Sequence, residues 1–148
     1  MRAVWTTGLA AVLILVATSA SAGTIYEIDY AGHDVTLTDS KGVTTELSDF
    51  GFWTGPNILV AKRGDAKVEI PFRRIRSLQI SKYLPVKGHS PATVVTTKGK
   101  TYKLQLTRFE GRRFVGGKTD FGSMRLQLMQ ISKLNLKRLS HTDPNERD

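Results

Sequence analysis

The stretch VEIPFRRIRSLQI, residues 68–80, decides how this chain is read. Its pattern recurs 56 positions later as MRLQLMQISKLNL, residues 124–136. Every apolar position matches: Val68 with Met124, Ile70 with Leu126, Phe72 with Leu128, Ile75 with Ile131, Leu78 with Leu134 and Ile80 with Leu136. Lys67 to Ile70 alternates with period two, as a half-buried strand does. Pro71 has no backbone N–H and would interrupt a central ladder, so the strand should end there. Phe72 and Ile75 are three apart, which suits a single helical turn. Arg76 to Ile80 then resumes alternation. The stretch encodes strand, one short turn, strand. Gln127 stands where the second copy would have Pro71, so the proline helps the turn without being required.

The repetition extends upstream. VTLTDSKGVTTEL (35–47) lies on ATVVTTKGKTYKL (92–104) at an offset of 57, with Thr36/Thr93, Lys41/Lys98, Gly42/Gly99, Thr44/Thr101 and Leu47/Leu104 identical. Each begins as an alternating β-branched strand, turns at Lys-Gly, and continues as the second strand of a hairpin. NILVAKRGDAKVEI (57–70) faces RFVGGKTDFGSMRL (113–126). Ile58 to Val60 is a short apolar run that fits a central strand, and Gly64-Asp65 turns it. The chain therefore reads as an all-β tandem duplication of a unit roughly 45 residues long, running about 34–81 and 91–137. Two small barrels, one per unit, are the first expectation. One sandwich built from both copies is the other, because so short a unit buries little core alone.

Four or five short strands ending in strand–turn–strand resemble the small SH3-like or Sm-like barrels. Gly117-Lys118-Thr119-Asp120-Phe121-Gly122, followed by Met124, Leu126, Leu128, Ile131 and Leu134, also resembles a motif of exported bacterial proteins of unknown function. The resemblance covers most of the chain after residue 22. It implies a β-barrel-type fold and lends no activity.

The remaining segments divide the chain. Arg2, the uncharged apolar run from Leu9 to Val16 and the small residues Ala20-Ser21-Ala22 read as a signal peptide, 1–22, cleaved after Ala22. A periplasmic or secreted location follows as an expectation. The run is shorter than the ~20 residues a spanning helix needs. Residues 23–33 read as an extra N-terminal strand, 34–83 as the first β unit and 84–91, with two prolines and a glycine, as a linker. Residues 92–139 read as the second unit and 140–148 as a polar, disordered tail.

Composition narrows the chemistry. There is no cysteine, which excludes disulfides, thiol catalysis, Cys-based metal sites and lipidation at the cleavage site. His33, His89 and His141 fall in a turn, the linker and the tail, each without a second His or a carboxylate at metal-ligand spacing. No G-x-S-x-G, H-E-x-x-H, phosphate loop or calcium loop is present. The expectation is a non-enzymatic protein with no cofactor and no metal.

Charge is the stronger signal. The formal net charge is +9. Residues 23–60 hold six acids and one base, whereas residues 61–141 hold nineteen Lys and Arg against Asp65, Glu69, Glu110 and Asp120. Such polarity steers acidic partners or pairs one copy with another head to tail. In an exported protein the acidic partner would be an envelope polymer or a protein, with nucleic acid not expected.

Residues shared by the two copies are explained by folding, so those that differ are where function can reside. Arg73 and Arg74 become Met129 and Gln130, and the aromatic loop 50–56 faces the basic loop 108–113. Two candidate sites follow. Arg73, Arg74, Arg76, Arg108, Arg112 and Arg113 would form a cationic surface, since guanidinium forks suit carboxylate and phosphate. Phe52 and Trp53, beside Phe50, would form an aromatic contact. The competing readings are a merely solvated basic face and rings that plug a barrel end. The expected function is an interaction module of the bacterial envelope that recognises an anionic polymer or a protein partner. An envelope-polymer hydrolase with acid residues not identified, or a self-assembling structural protein, is the alternative.

Overall fold

The structure is a computed structural model that describes residues 30–139. The signal-peptide stretch, most of the expected N-terminal strand, His141 and the tail lie outside the described residues. Ten strands account for most of the described residues: β1 His33–Asp39, β2 Thr44–Phe52, β3 Ile58–Arg63, β4 Ala66–Pro71, β5 Ile75–Ile80, β6 His89–Thr96, β7 Thr101–Thr107, β8 Phe114–Lys118, β9 Ser123–Gln127 and β10 Ile131–Leu139. One short helix, α1 (Arg108–Gly111), follows β7. The opening stretch folds as read: β4 ends at Pro71, Phe72–Arg74 form one 3-10 turn, and β5 begins at Ile75. A second 3-10 turn, Leu128–Gln130, stands between β9 and β10. There the backbone N–H of Gln127 donates to Gln130 Oε1 at 2.8 Å. Pro71 has no such N–H, and Arg74, which stands where the second turn has Gln130, carries a donor-only guanidinium that could not accept one.

All ladders are antiparallel, and the strands form one curled sheet in the order β4-β3-β7-β6-β5-β10-β1-β2-β8-β9. The order has a regularity. Exchanging each of β1–β5 with its counterpart among β6–β10 gives the same order read backwards. The β3–β4 hairpin leaves β2 and pairs through Lys62 with Gln105 of β7, while the β8–β9 hairpin pairs with β2. Local hydrogen bonds obey the same exchange. Ser40 N donates to Gln130 O at 2.7 Å, and Thr97 N donates to Arg74 O at 2.9 Å. Phe72 N donates to Asn57 O, and Leu128 N to Arg113 O, both at 2.9 Å. The turns at Gly42 and Gly99 take φ of 83° and 81°, where glycine carries no Cβ penalty.

The strand pairing departs from the expectation of one barrel closed within each unit. The physical reason lies between β2 and β3 and between β7 and β8. Trp53-Thr-Gly-Pro-Asn57 and the helix-bearing stretch 108–113 are not two-residue hairpin turns. Both carry the chain across to the other half of the sheet. The linker expected at 84–91 is shorter than read. β6 opens at His89, and Pro91 pairs with Gln105 inside the strand. Its ring is accommodated because Pro91 needs only its carbonyl, which accepts from Ser81 N at 2.8 Å.

Alternation drives the core. Val35 and Leu37 of β1, Ala92 and Val94 of β6, and Leu104 and Leu106 of β7 all point inward. Leu78 and Leu134, both fully buried, face each other where β5 meets β10 and join the two halves. Phe72 reaches from the first 3-10 turn to stack on Phe50, with ring centroids 5.9 Å apart, and to meet Phe52 at 5.1 Å. His33, expected in an exposed turn, is instead buried at the start of β1, edge-on to Phe72 at 6.2 Å.

Candidate functional site

The two crossover stretches, 53–57 and 108–113, differ in sequence, and each is held by its last residue. Asn57, buried before β3, accepts from Phe52 N with Oδ1 at 2.8 Å and donates from Nδ2 to Ala31 O at 2.8 Å. Arg113, its counterpart before β8, donates to Glu110 Oε1 at 2.8 Å and to Thr54 O at 3.2 Å. Its guanidinium lies 3.7 Å from the centre of the Phe52 ring. Glu110 is buried in α1, and Val60 N donates to the same Oε1 at 3.3 Å. The helix itself is capped by Thr107, whose Oγ1 accepts from Glu110 N.

The first groove lies along the β2–β8 side and encloses about 790 Å³. A bulge in β2 shapes it. Pairing shifts between Ser48 and Gly51, and Asp49 takes the left-handed conformation with φ 52°. The bulge lets both Leu47 and Phe50 point inward and sends the Asp49 carboxylate to Lys118 Nζ at 3.3 Å. Gly51 and Gly116 pair across β2 and β8, and neither has room for a side chain. Asn57 lies over Gly51. The indole of Trp53 lies over Gly116, where an added Cβ would come 2.6 Å from Nε1. Arg125 sits between two rings, 5.1 Å from Trp53 and 4.6 Å from Phe114. About half of Trp53 remains exposed, at 52%.

The second groove encloses about 610 Å³ between β4 and the β6–β7 turn. Arg63, Arg74, Lys98 and Lys100 line it, with Glu69 as its acidic group. Glu69 pairs with Lys67 at 3.1 Å. Tyr102 forms part of the wall, and Arg63 lies 5.6 Å from its ring centre. Arg76 reaches the rim and donates to Thr97 O at 3.1 Å.

These positions divide the residues singled out from sequence. Arg74 and Arg76 come together with three further cations at the second groove, and Arg73 shares the 3-10 turn with Arg74. Arg108 and Arg112 lie elsewhere, at the start and the end of α1, with Arg108 5.8 Å from the Tyr83 ring. Arg113 is committed to Glu110 and Phe52. Phe52 is 9% exposed and packs between Arg113 and Phe72, although it also borders the first groove. Trp53 is the ring that faces outward. Sequence reasoning missed Arg63, Lys98, Lys100 and Arg125. The signal for Lys98 and Lys100 was the K-G-K turn, which lies beside Arg74 because β5 and β6 pair, whereas Arg63 reaches this groove through the crossover. Among the described residues, no group of three or more His, Asp and Glu is placed to hold a metal ion, and no helix is long and apolar enough to cross a membrane.

No protein-family model matches the chain, and no curated protein matches it.

Proposed function

We propose that this protein is an exported, non-enzymatic binding module that holds an anionic polymer in the basic groove between β4 and the β6–β7 turn. The observation that carries this reading is the convergence of Arg63, Arg74, Lys98 and Lys100 on one concavity from three separate parts of the chain. Clustered cations with low-dielectric walls focus the field and raise the local concentration of an anion. Guanidinium groups add directional pairs to carboxylate, sulfate or phosphate.

The leader-like sequence at 1–22 supports an exported location. The matched sequence blocks and the reversible strand order support a tandem duplication, in which each copy of a small barrel lends its hairpin to the other. On this reading the shared positions, Lys98 among them, maintain the exchange, and Arg63, Arg74 and Lys100, which face Thr119, Gln130 and Val43 in the other copy, are the additions.

The test is affinity for a sulfated polysaccharide and for polyphosphate, measured over a salt series on residues 23–148. Replacing Arg74, Lys98 and Lys100 together by Ala should weaken binding by about tenfold or more and flatten its salt dependence. Replacing Arg108 and Arg112 should have a much smaller effect. Equal losses from the two variants would overturn the assignment of the groove.

A further inference from the structure

We propose that the first groove is a second, independent binding site, and that it takes a neutral sugar ring stacked on Trp53. The groove is concave and of the size that accommodates a small ligand, about 790 Å³. Its lining is unlike that of the basic groove. Asp49 and Lys118 pair with each other, so the two charges cancel locally. Tyr30 and Ser123 add hydroxyls to the lining.

Trp53 is the platform. An indole presents a large apolar face with a polar edge, the combination that suits a ring with apolar C–H faces and equatorial hydroxyls. The ring is held before any ligand arrives. Gly116 vacates the space beneath it, and Arg125, wedged toward Phe114, supports it. A fixed platform loses little freedom on binding. The Asp49 carboxylate can accept from a hydroxyl and the Lys118 ammonium can donate to one. The paired charges give an anion no net attraction, and a wholly apolar ligand would leave the ion pair without polar partners. A neutral polyhydroxylated ring satisfies both.

The experiment uses residues 23–148, in which Trp53 is the only tryptophan because the other, Trp5, precedes residue 23. Maltotetraose, cellotetraose and tetra-N-acetylchitotetraose are titrated while the emission of Trp53 is followed, and binding heats are measured in parallel. Saturable binding of at least one of the three is expected, with a change in Trp53 emission. Trp53→Ala should abolish the heat, and Lys118→Ala should weaken binding about fivefold or more by removing a hydrogen bond that a charged donor gives to a sugar hydroxyl. The variant lacking Arg74, Lys98 and Lys100 should bind the sugar unchanged, which separates this site from the basic groove. Absence of saturable binding to all three sugars would overturn the proposal. So would binding that survives Trp53→Ala in a variant whose circular dichroism and unfolding midpoint match the parent.

Discussion

The guanidinium of Arg113 lies 3.7 Å above the Phe52 ring while its Nη1 donates to the buried carboxylate of Glu110 at 2.8 Å. This arrangement ties the second crossover to the first. Arg113→Ala would leave a carboxylate whose side chain is 5% exposed without its cation. We expect a loss of about 3 kcal/mol in urea unfolding. Arg113→Lys should recover only part of it, because an ammonium cannot reproduce the planar fork over the ring. Equal stability of Arg113→Ala and the parent would show that the residue is a solvated surface charge.

Asn57 makes a second prediction. Its side chain accepts from the buried Phe52 amide and donates to Ala31 O. Asn57→Ala strands the buried Phe52 amide and loses the tie to Ala31, and should cost about 2 kcal/mol by the same measurement.

Gly116→Ala tests the seating of the indole. A Cβ there would meet Met124 O of β9 and Trp53 Nε1. The substitution should destabilise the β8–β9 edge and move Trp53 into water. Its emission should shift to longer wavelength at a denaturant concentration where the core remains folded.

The joint between the two halves rests on Leu78 and Leu134, which face each other across β5 and β10 with no exposure. Each Leu→Ala change should cost about 3 kcal/mol through lost burial and a cavity. Because the two pack together, the double variant should depart from additivity by about 0.5 kcal/mol or more. Exact additivity in a double-mutant cycle would place them in separate cores.

Local structure was legible in the sequence because it depends on local chemistry. Pro71 ends a strand by lacking a donor, Gly42 and Gly99 permit tight turns, and period-two alternation places Val35, Leu37, Val94 and Leu104 inward. Pairing was not legible, since no residue in Trp53-Thr-Gly-Pro-Asn57 announces which strand β3 will join. That choice governs the sites. It brings Arg63 beside Tyr102 of β7, and it sets Arg113, half-buried, against Phe52 where a basic surface had been expected. His33 was misplaced for a related reason: its polar ring gave no sign that Phe72, thirty-nine residues later, would pack against it. Aromatic residues clustered at 50–53 were recognised as a group, but the β2 bulge at Asp49 decides that Phe50 and Phe52 point inward and Trp53 outward.

The most direct test of the proposed function maps where a polyanion touches the protein. Backbone amide shifts of residues 23–148 would be followed while a sulfated oligosaccharide is added. The groove reading predicts saturable shifts concentrated at Arg63, Glu69, Arg74, Lys98, Lys100 and Tyr102, with Arg108 and Arg112 little changed. Shifts centred on α1, or none at concentrations where the charges are not screened, would contradict it.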